Sequence, residues 1–180
     1  MLSEVMQRRL LGAARRWDSD GDGFVEKEDY SIATGRLAGL SGFAPGSPEY
    51  DQIHQAMMAG WDLLRTFDND GDGRVSIEEC LGGFEAMFAD PERFQQLLVE
   101  PNKGIFDLID VDRDGRISVD EHRAWLEAMN TSEAEIAVAF AHLDPNEDGY
   151  LSREEFVELH RQFFTEDDPE IPGAWLFGSP

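Results

Sequence analysis

Twelve residues constrain this chain more than any others: Asp68-Asn69-Asp70-Gly71-Asp72-Gly73-Arg74-Val75-Ser76-Ile77-Glu78-Glu79. Carboxylates stand at positions 1, 3 and 5, a glycine at 6 and a glutamate at 12. A hard cation such as Ca2+ takes six to eight oxygens, and short acidic side chains on alternate residues of a tight turn converge on one point. Gly73 permits the sharp bend that a side chain would resist. Arg74 offers its main-chain carbonyl, which leaves its side-chain type free. Glu79 is long enough to reach back and close the ring with both oxygens.

The pattern occurs four times, which removes chance acidic turns as an explanation and marks a repeat of EF-hands. The expected ligands of loop one are Asp18, Asp20, Asp22, the Phe24 carbonyl and Asp29. Loop two supplies Asp68, Asp70, Asp72, the Arg74 carbonyl and Glu79. Loop three supplies Asp110, Asp112, Asp114, the Arg116 carbonyl and Glu121. Loop four supplies Asp144, Asn146, Asp148, the Tyr150 carbonyl and Glu155. Position 8 is Val25, Val75, Ile117 and Leu151, apolar each time, as a short strand pairing two loops back to back requires. The chain is therefore expected to hold up to four Ca2+ ions. Asp29 is one methylene shorter than Glu, which suits the smaller six-coordinate Mg2+ and makes the first site a mixed Ca2+/Mg2+ site.

Each loop is expected between two amphipathic helices. The periodicity predicts entering helices over about 2–18, 49–68, 91–109 and 132–143, and exiting helices over about 26–39, 76–89, 118–129 and 152–164. The residue before each loop is Trp17, Phe67, Ile109 or Leu143, and three residues earlier stands Ala14, Leu64, Phe106 or Phe140, on one helical face. Ser132 with Glu135 reads as a capping box. Pro91 suits a first helical turn capped by Asp90, Pro101 should break or kink that helix, and Gly82 and Gly83 weaken theirs or admit a close neighbour. Loops starting at 18, 68, 110 and 144 are separated by 50, 42 and 34 residues, and the longest gap holds the turn-rich stretch Ser41–Pro48. No long linker separates the pairs. The expected fold is all-α: four EF-hands in two pairs, residues 1–90 and 91–164, forming one compact globule, with a tail over 165–180.

The net charge of −23, from 38 acidic and 15 basic residues, argues against nucleic acid or anionic membrane as a partner. A hydrophobic content of 41% with 12 Phe and 4 Trp excludes a merely solvated acidic chain. A single cysteine allows no internal disulfide and points to a reducing, cytoplasmic compartment. Arg8, Arg9, Arg15 and Arg16 near the start suggest a transit peptide, but Leu2, Met6, Leu10, Ala13 and Trp17 make a helical stripe that leads straight into loop one. The arginines then form a solvated face or pair with acidic neighbours.

Four hands, irregular spacing, aromatic cores and a non-helical tail resemble the sarcoplasmic calcium-binding protein family, including its bacterial calerythrin type, over essentially the whole chain. Asp29 at position 12 of the first hand and the tail Asp168-Pro169-Glu170-Ile171-Pro172-Gly173 match that pattern. Photoproteins of the aequorin type share the layout. The second hand of this family has often lost its ligands, whereas Asp68, Asp70, Asp72 and Glu79 are all present here. All four sites are therefore credited.

Catalysis has little support. The carboxylates lie in loops or on helix faces, and His54, His122, His142 and His160 show no metal-ligand spacing. His122, His160 and Cys80 fall where exiting helices face a core. The chain is read as a non-enzyme. A monomeric calcium buffer is favoured over a sensor that grips a target helix, because sensors expose Met-rich grooves and this core is built of Phe, Trp and Leu. A luciferin-type ligand in an aromatic cavity follows only from the photoprotein resemblance. The tail is expected to decide between buffer and sensor: Ile171, Trp175, Leu176 and Phe177 would fill the cleft that a sensor offers its target.

Overall fold

The computed structural model describes residues 2–90, 92 and 102–178. Hand one is α1 (Glu4–Trp17), β1 (Phe24–Val25) and α2 (Lys27–Leu40). Hand two is α3 (Pro48–Leu64), a 3-10 turn (Arg65–Phe67), β2 (Val75–Ser76) and α4 (Ile77–Phe88). Hand three is α5 (Asn102–Ile109), β3 (Arg116–Ser118) and α6 (Val119–Ala128). Hand four is α7 (Glu133–Leu143), β4 (Tyr150–Ser152) and α8 (Arg153–Thr165), followed by a 3-10 turn (Pro172–Trp175).

The helix ends follow local chemistry. Ser3 and Ser47 accept the backbone N–H groups of Met6 and Tyr50, so α1 starts two residues later than the periodicity implies and α3 one residue earlier, with Pro48 in its first turn. Ser76, Ser118, Ser132 and Ser152 each cap a helix in a reciprocal box with Glu79, Glu121, Glu135 and Glu155. The expected continuous helix to residue 68 stops at Leu64 and tightens into the 3-10 turn before the loop. The expectations for Pro91 and Pro101 fall outside the described residues, although Asp90 accepts the N–H of Glu92 at 3.1 Å.

The position 8 side chains tie the hands into pairs. Val25 faces Val75 and Ile117 faces Leu151 across two antiparallel bridges, and all four are fully buried. The two pairs share one core. Trp17 of hand one stacks on Tyr30 at 4.3 Å and meets Trp125 of hand three edge-on at 6.1 Å. α2 packs against both α3 and α6.

Of the two glycines in α4, only Gly83 admits a close neighbour. A Cβ at Gly83 would stand 2.1 Å from the Phe67 ring, whereas one at Gly82 would meet nothing within 4 Å. Gly82→Ala is expected to stabilise by up to about 1 kcal/mol through helix propensity. Gly83→Ala is expected to cost roughly 1–3 kcal/mol by driving Phe67 out of its seat. Thermal melts of the two single variants check this, and shifts of the same sign would refute the packing role.

The reading of the α1 arginines as a solvated or acid-paired face holds only in part. Arg8 and Arg15 are exposed, and Arg16 pairs with Glu135 at 2.9 Å. Arg9 is instead buried against main-chain carbonyls, because the helix face that carries it lies over the end of α8 rather than over water.

Candidate metal centre

Each loop is a short turn whose first aspartate is held by loop amides. Asp68 accepts from the N–H groups of Gly71 at 2.7 Å and Gly73 at 3.0 Å, and Asp18 accepts from Gly21 at 2.7 Å and Gly23 at 2.9 Å. Asp110 accepts from Asp114 and Gly115, and Asp144 from Asp148 and Gly149. Position 6 is glycine in every loop, with φ between 86° and 92°. Position 4 is also left-handed. Gly21 and Gly71 meet that need without strain, whereas loops three and four place Arg113 and Glu147 there at φ 61° and 58°. No sequence signal short of comparing the four loops position by position marks that requirement.

The closing carboxylates bridge the loop's start and its end. Glu79 accepts from the N–H of Asn69 at 3.0 Å and of Ser76 at 2.9 Å. Glu121 accepts from Val111 and Ser118, each at 2.9 Å. Asp29 accepts from Ser19 at 2.9 Å and Glu26 at 2.7 Å, so the shorter side chain reaches the same two amides. Loop four departs because position 2 is Pro145, which has no N–H. The side-chain amide of Asn146 takes its place and donates to Glu155 at 2.8 Å and to Asp148 at 3.1 Å.

Calcium–oxygen bonds of about 2.4 Å place opposed ligands roughly 4.8 Å apart. Among the described residues, three sets of acidic oxygens lie within 4.8 Å of one another: Asp18 with Asp20 and Asp22, Asp68 with Asp70 and Asp72, and Asp110 with Asp112 and Glu121. These three fit a Ca2+ ion by spacing and by donor chemistry. Loop four has the same residue pattern, but Asn146 there turns its amide toward the two carboxylates.

Electrostatics separate the loop carboxylates. Burial pushes the Asp29 carboxyl above its ordinary pKa, and nearby Asp20 and Asp18 add to this. Burial likewise raises Asp110, helped by Glu121 and Asp114. Glu79, held by the Ser76 and Asn69 amides, is lowered instead. A cation relieves the crowded acids of loops one and three, which gives those sites a driving force beyond coordination itself.

The side chain at position 7 is not as free as the loop pattern implies. Arg74 lies over the Phe24 ring of the facing loop at 3.8 Å and reaches Glu26 at 3.8 Å. Arg116 lies over Tyr150 at 4.2 Å. In each pair a cation and an aromatic ring thus meet across the bridge between loops. Sequence inspection shows both partners at equivalent positions but not that they touch.

The other candidate chemistry is structural. Burial lowers His122 to about 4 and His160 to about 3, and it raises the Cys80 thiol to about 12. His122 lies 3.4 Å from the Leu176 carbonyl, and His142 stacks on Trp175 at 3.9 Å. Three histidines therefore surround the tail or its neighbours, since His160 also meets Phe177 edge-on. Among the described residues no helix is long and apolar enough to cross a membrane.

Comparison with known proteins agrees with this geometry. The model of an EF-hand domain pair matches residues 99–161, and that of a single EF hand matches residues 62–79. Calerythrin of Saccharopolyspora erythraea is 31% identical over 177 residues, covering 96% of this chain and 100% of that protein. The sarcoplasmic calcium-binding protein beta chain of Penaeus sp. is 30% identical over 179 residues, covering 90% and 89%. Among solved structures, the coelenterazine-binding protein of Renilla muelleri in its calcium-loaded apo form superposes with a TM-score of 0.79 at 24% identity, covering 99% of this chain and 100% of that one.

Proposed function

The chain belongs to the calcium-binding EF-hand family of calerythrin and the sarcoplasmic calcium-binding proteins, and from that premise we propose that it is a calcium buffer. It is not an enzyme, in keeping with its calcium-binding relatives. The observation that carries the buffer reading is the seated tail. Ala174 and Leu176 are buried, and Phe177 packs against Phe163 at 4.8 Å, so the surface a sensor would open to a target is covered from within. In this reading the protein works as a cytoplasmic monomer and binds up to four ions. Loop one binds through Asp18, Asp20, Asp22, Asp29 and the Phe24 carbonyl, and the other loops through the equivalent positions. Calorimetric Ca2+ titration with and without Mg2+ tests the reading, together with an apolar dye. The holo protein is expected to leave the dye dark. Strong Ca2+-dependent dye binding by the intact chain selects the sensor instead.

We further propose that loop one takes Mg2+ as well as Ca2+. Asp29 is buried and already engaged by two amides, which leaves a short arm little freedom to swing both oxygens onto a large ion. Asp29→Glu is expected to raise the Ca2+ over Mg2+ preference of that site about tenfold, read by competitive titration. An unchanged ratio would remove side-chain length as the cause.

A cavity favours a second reading. A space of about 160 Å3 lies between the two pairs, lined by Trp17, Tyr30, Met57, Trp125, His160 and Phe177 among others. An apolar cavity of roughly 150 Å3 holds one benzene-sized ring. The volume suits a single ring or a small bicyclic compound without rearrangement, whereas the neighbour named for coelenterazine binding takes its name from a larger molecule. Thermal shift with indole tests this, since a rise in melting temperature that saturates with indole supports it and no shift rejects it.

A further inference from the structure

α1 is engaged at its C-terminus and along its length. At its C-terminus it runs into Asp18, the first ligand of loop one. Near its middle Arg9 is 4% exposed, and its bonds to oxygen all go to main-chain carbonyls. Nη1 donates to Gln162 at 3.3 Å, Phe163 at 2.9 Å and Glu166 at 2.9 Å, and Nη2 donates to Asp168 at 2.9 Å. The first two carbonyls lie in the last turn of α8, where the helix dipole is negative, and the other two start the tail. A guanidinium's rigid fork suits this geometry, and an ammonium would not reproduce it. Ser3 adds a bond from its hydroxyl to Asp167 at 2.5 Å.

Two turns along the same helix, Arg16 pairs with Glu135 and lies against the tail's end. A Cβ at Gly178 would come within 2.9 Å of its guanidinium. Between these two arginines the tail has little freedom. Gly173 rests on α8 so closely that a Cβ would meet the Leu159 carbonyl at 2.4 Å, and its N–H donates to the Gln162 side chain at 2.9 Å.

We propose that α1 couples hand one to the tail: an ion in loop one sets the position of α1, and Arg9 passes that position to residues 166–178. Calcium then holds the tail shut over α7 and α8, and loss of the ion from loop one frees it. The inference rests on loop one binding calcium. Coupling of this kind is reciprocal, so a docked tail also tightens loop one.

The test is hydrogen exchange of segment 171–178 in the full chain at saturating Ca2+, after calorimetry has counted the ions. Silencing loop one with Asp18→Asn and Asp22→Asn is expected to raise tail exchange about tenfold, within the usual range of allosteric coupling, while α7 and α8 stay protected. Arg9→Met is expected to raise it similarly and to abolish its dependence on loop one. Arg9→Lys, the milder variant, is expected to give an intermediate loss and covers the case in which Arg9→Met does not fold. If calorimetry finds no ion at loop one, the metal reading of that loop falls, and the coupling with it. If the ion binds and tail exchange is the same in the silenced and wild-type proteins, the coupling alone is overturned.

Discussion

Excess chelator is expected to lower the melting temperature of this protein by more than about 20 °C and to dissolve its near-UV signal. Fifteen carboxylates occupy positions 1, 3, 5 and 12 of the four loops. Without a cation, neighbouring charges several Å apart repel by roughly 1–4 kcal/mol near a protein surface. With the cation, each site stabilises the fold by about 4 kcal/mol at a thousandfold excess over its dissociation constant. Three such sites add roughly 12 kcal/mol, as much as a whole domain usually has to lose. The loops would not collapse into random chain. Asp18, Asp68, Asp110 and Asp144 keep their bonds to loop amides, and the hydroxyls of Ser76, Ser118 and Ser152, which are not ligands, still accept the first-turn N–H groups of the exiting helices. Helical far-UV signal is therefore expected to survive in part where aromatic packing is lost. Calorimetry in calcium and in EDTA decides this, and superimposable melting curves would show that the loops do not hold the core together.

Truncation after Thr165 is expected to destabilise the calcium-loaded protein by about 2–5 kcal/mol and to create a surface that lights an apolar dye. The deletion strips buried Leu176, Trp175 from its stack on His142, and Phe177 from the cluster of Phe163, Phe164 and His160. Burying a large apolar side chain contributes roughly 1.5–3 kcal/mol, of which ordering the segment returns a part. Arg9 would also lose the carbonyls of Glu166 and Asp168 and keep a buried charge with fewer partners, which adds to the loss. Denaturant unfolding and dye fluorescence of the truncated and full-length proteins give the answer. A truncated protein of unchanged stability that leaves the dye dark would show the tail to be passive.

The four loops could be read without coordinates because a calcium loop is a local object. Its ligands lie within twelve residues, and the covalent chain alone brings them near one point. The same holds for the serine caps, where donor and acceptor stand three residues apart. The apolar position 8 of each loop foretold the pairing of Val25 with Val75 and of Ile117 with Leu151, since a bridge between loops must be dry on one side. The loop pattern marked the EF-hands, and the spacing of the four loops, Asp29 and the tail carried the resemblance to the family.

What the residues could not disclose by themselves depends on which distant segments meet. Arg8, Arg9, Arg15 and Arg16 are chemically alike and lie within two turns of one helix, yet only Arg9 is buried, because the end of α8 happens to lie over that face. The same limit hides the central cavity, whose lining comes from hands one to four and the tail. It hides the Arg74–Phe24 contact and the seat of Gly83 under Phe67 as well. In loop four, Pro145 and Asn146 are adjacent in sequence, but the exchange of a missing backbone donor for a side-chain amide shows only once Glu155 is in place. Spacing along the chain decides what a twelve-residue loop can bind, since it fixes distances of a few Å directly. Tertiary structure alone decides what closes the molecule, since Arg9 is buried by carbonyls more than 150 positions away and the tail by side chains of other helices, His122 and His142 among them.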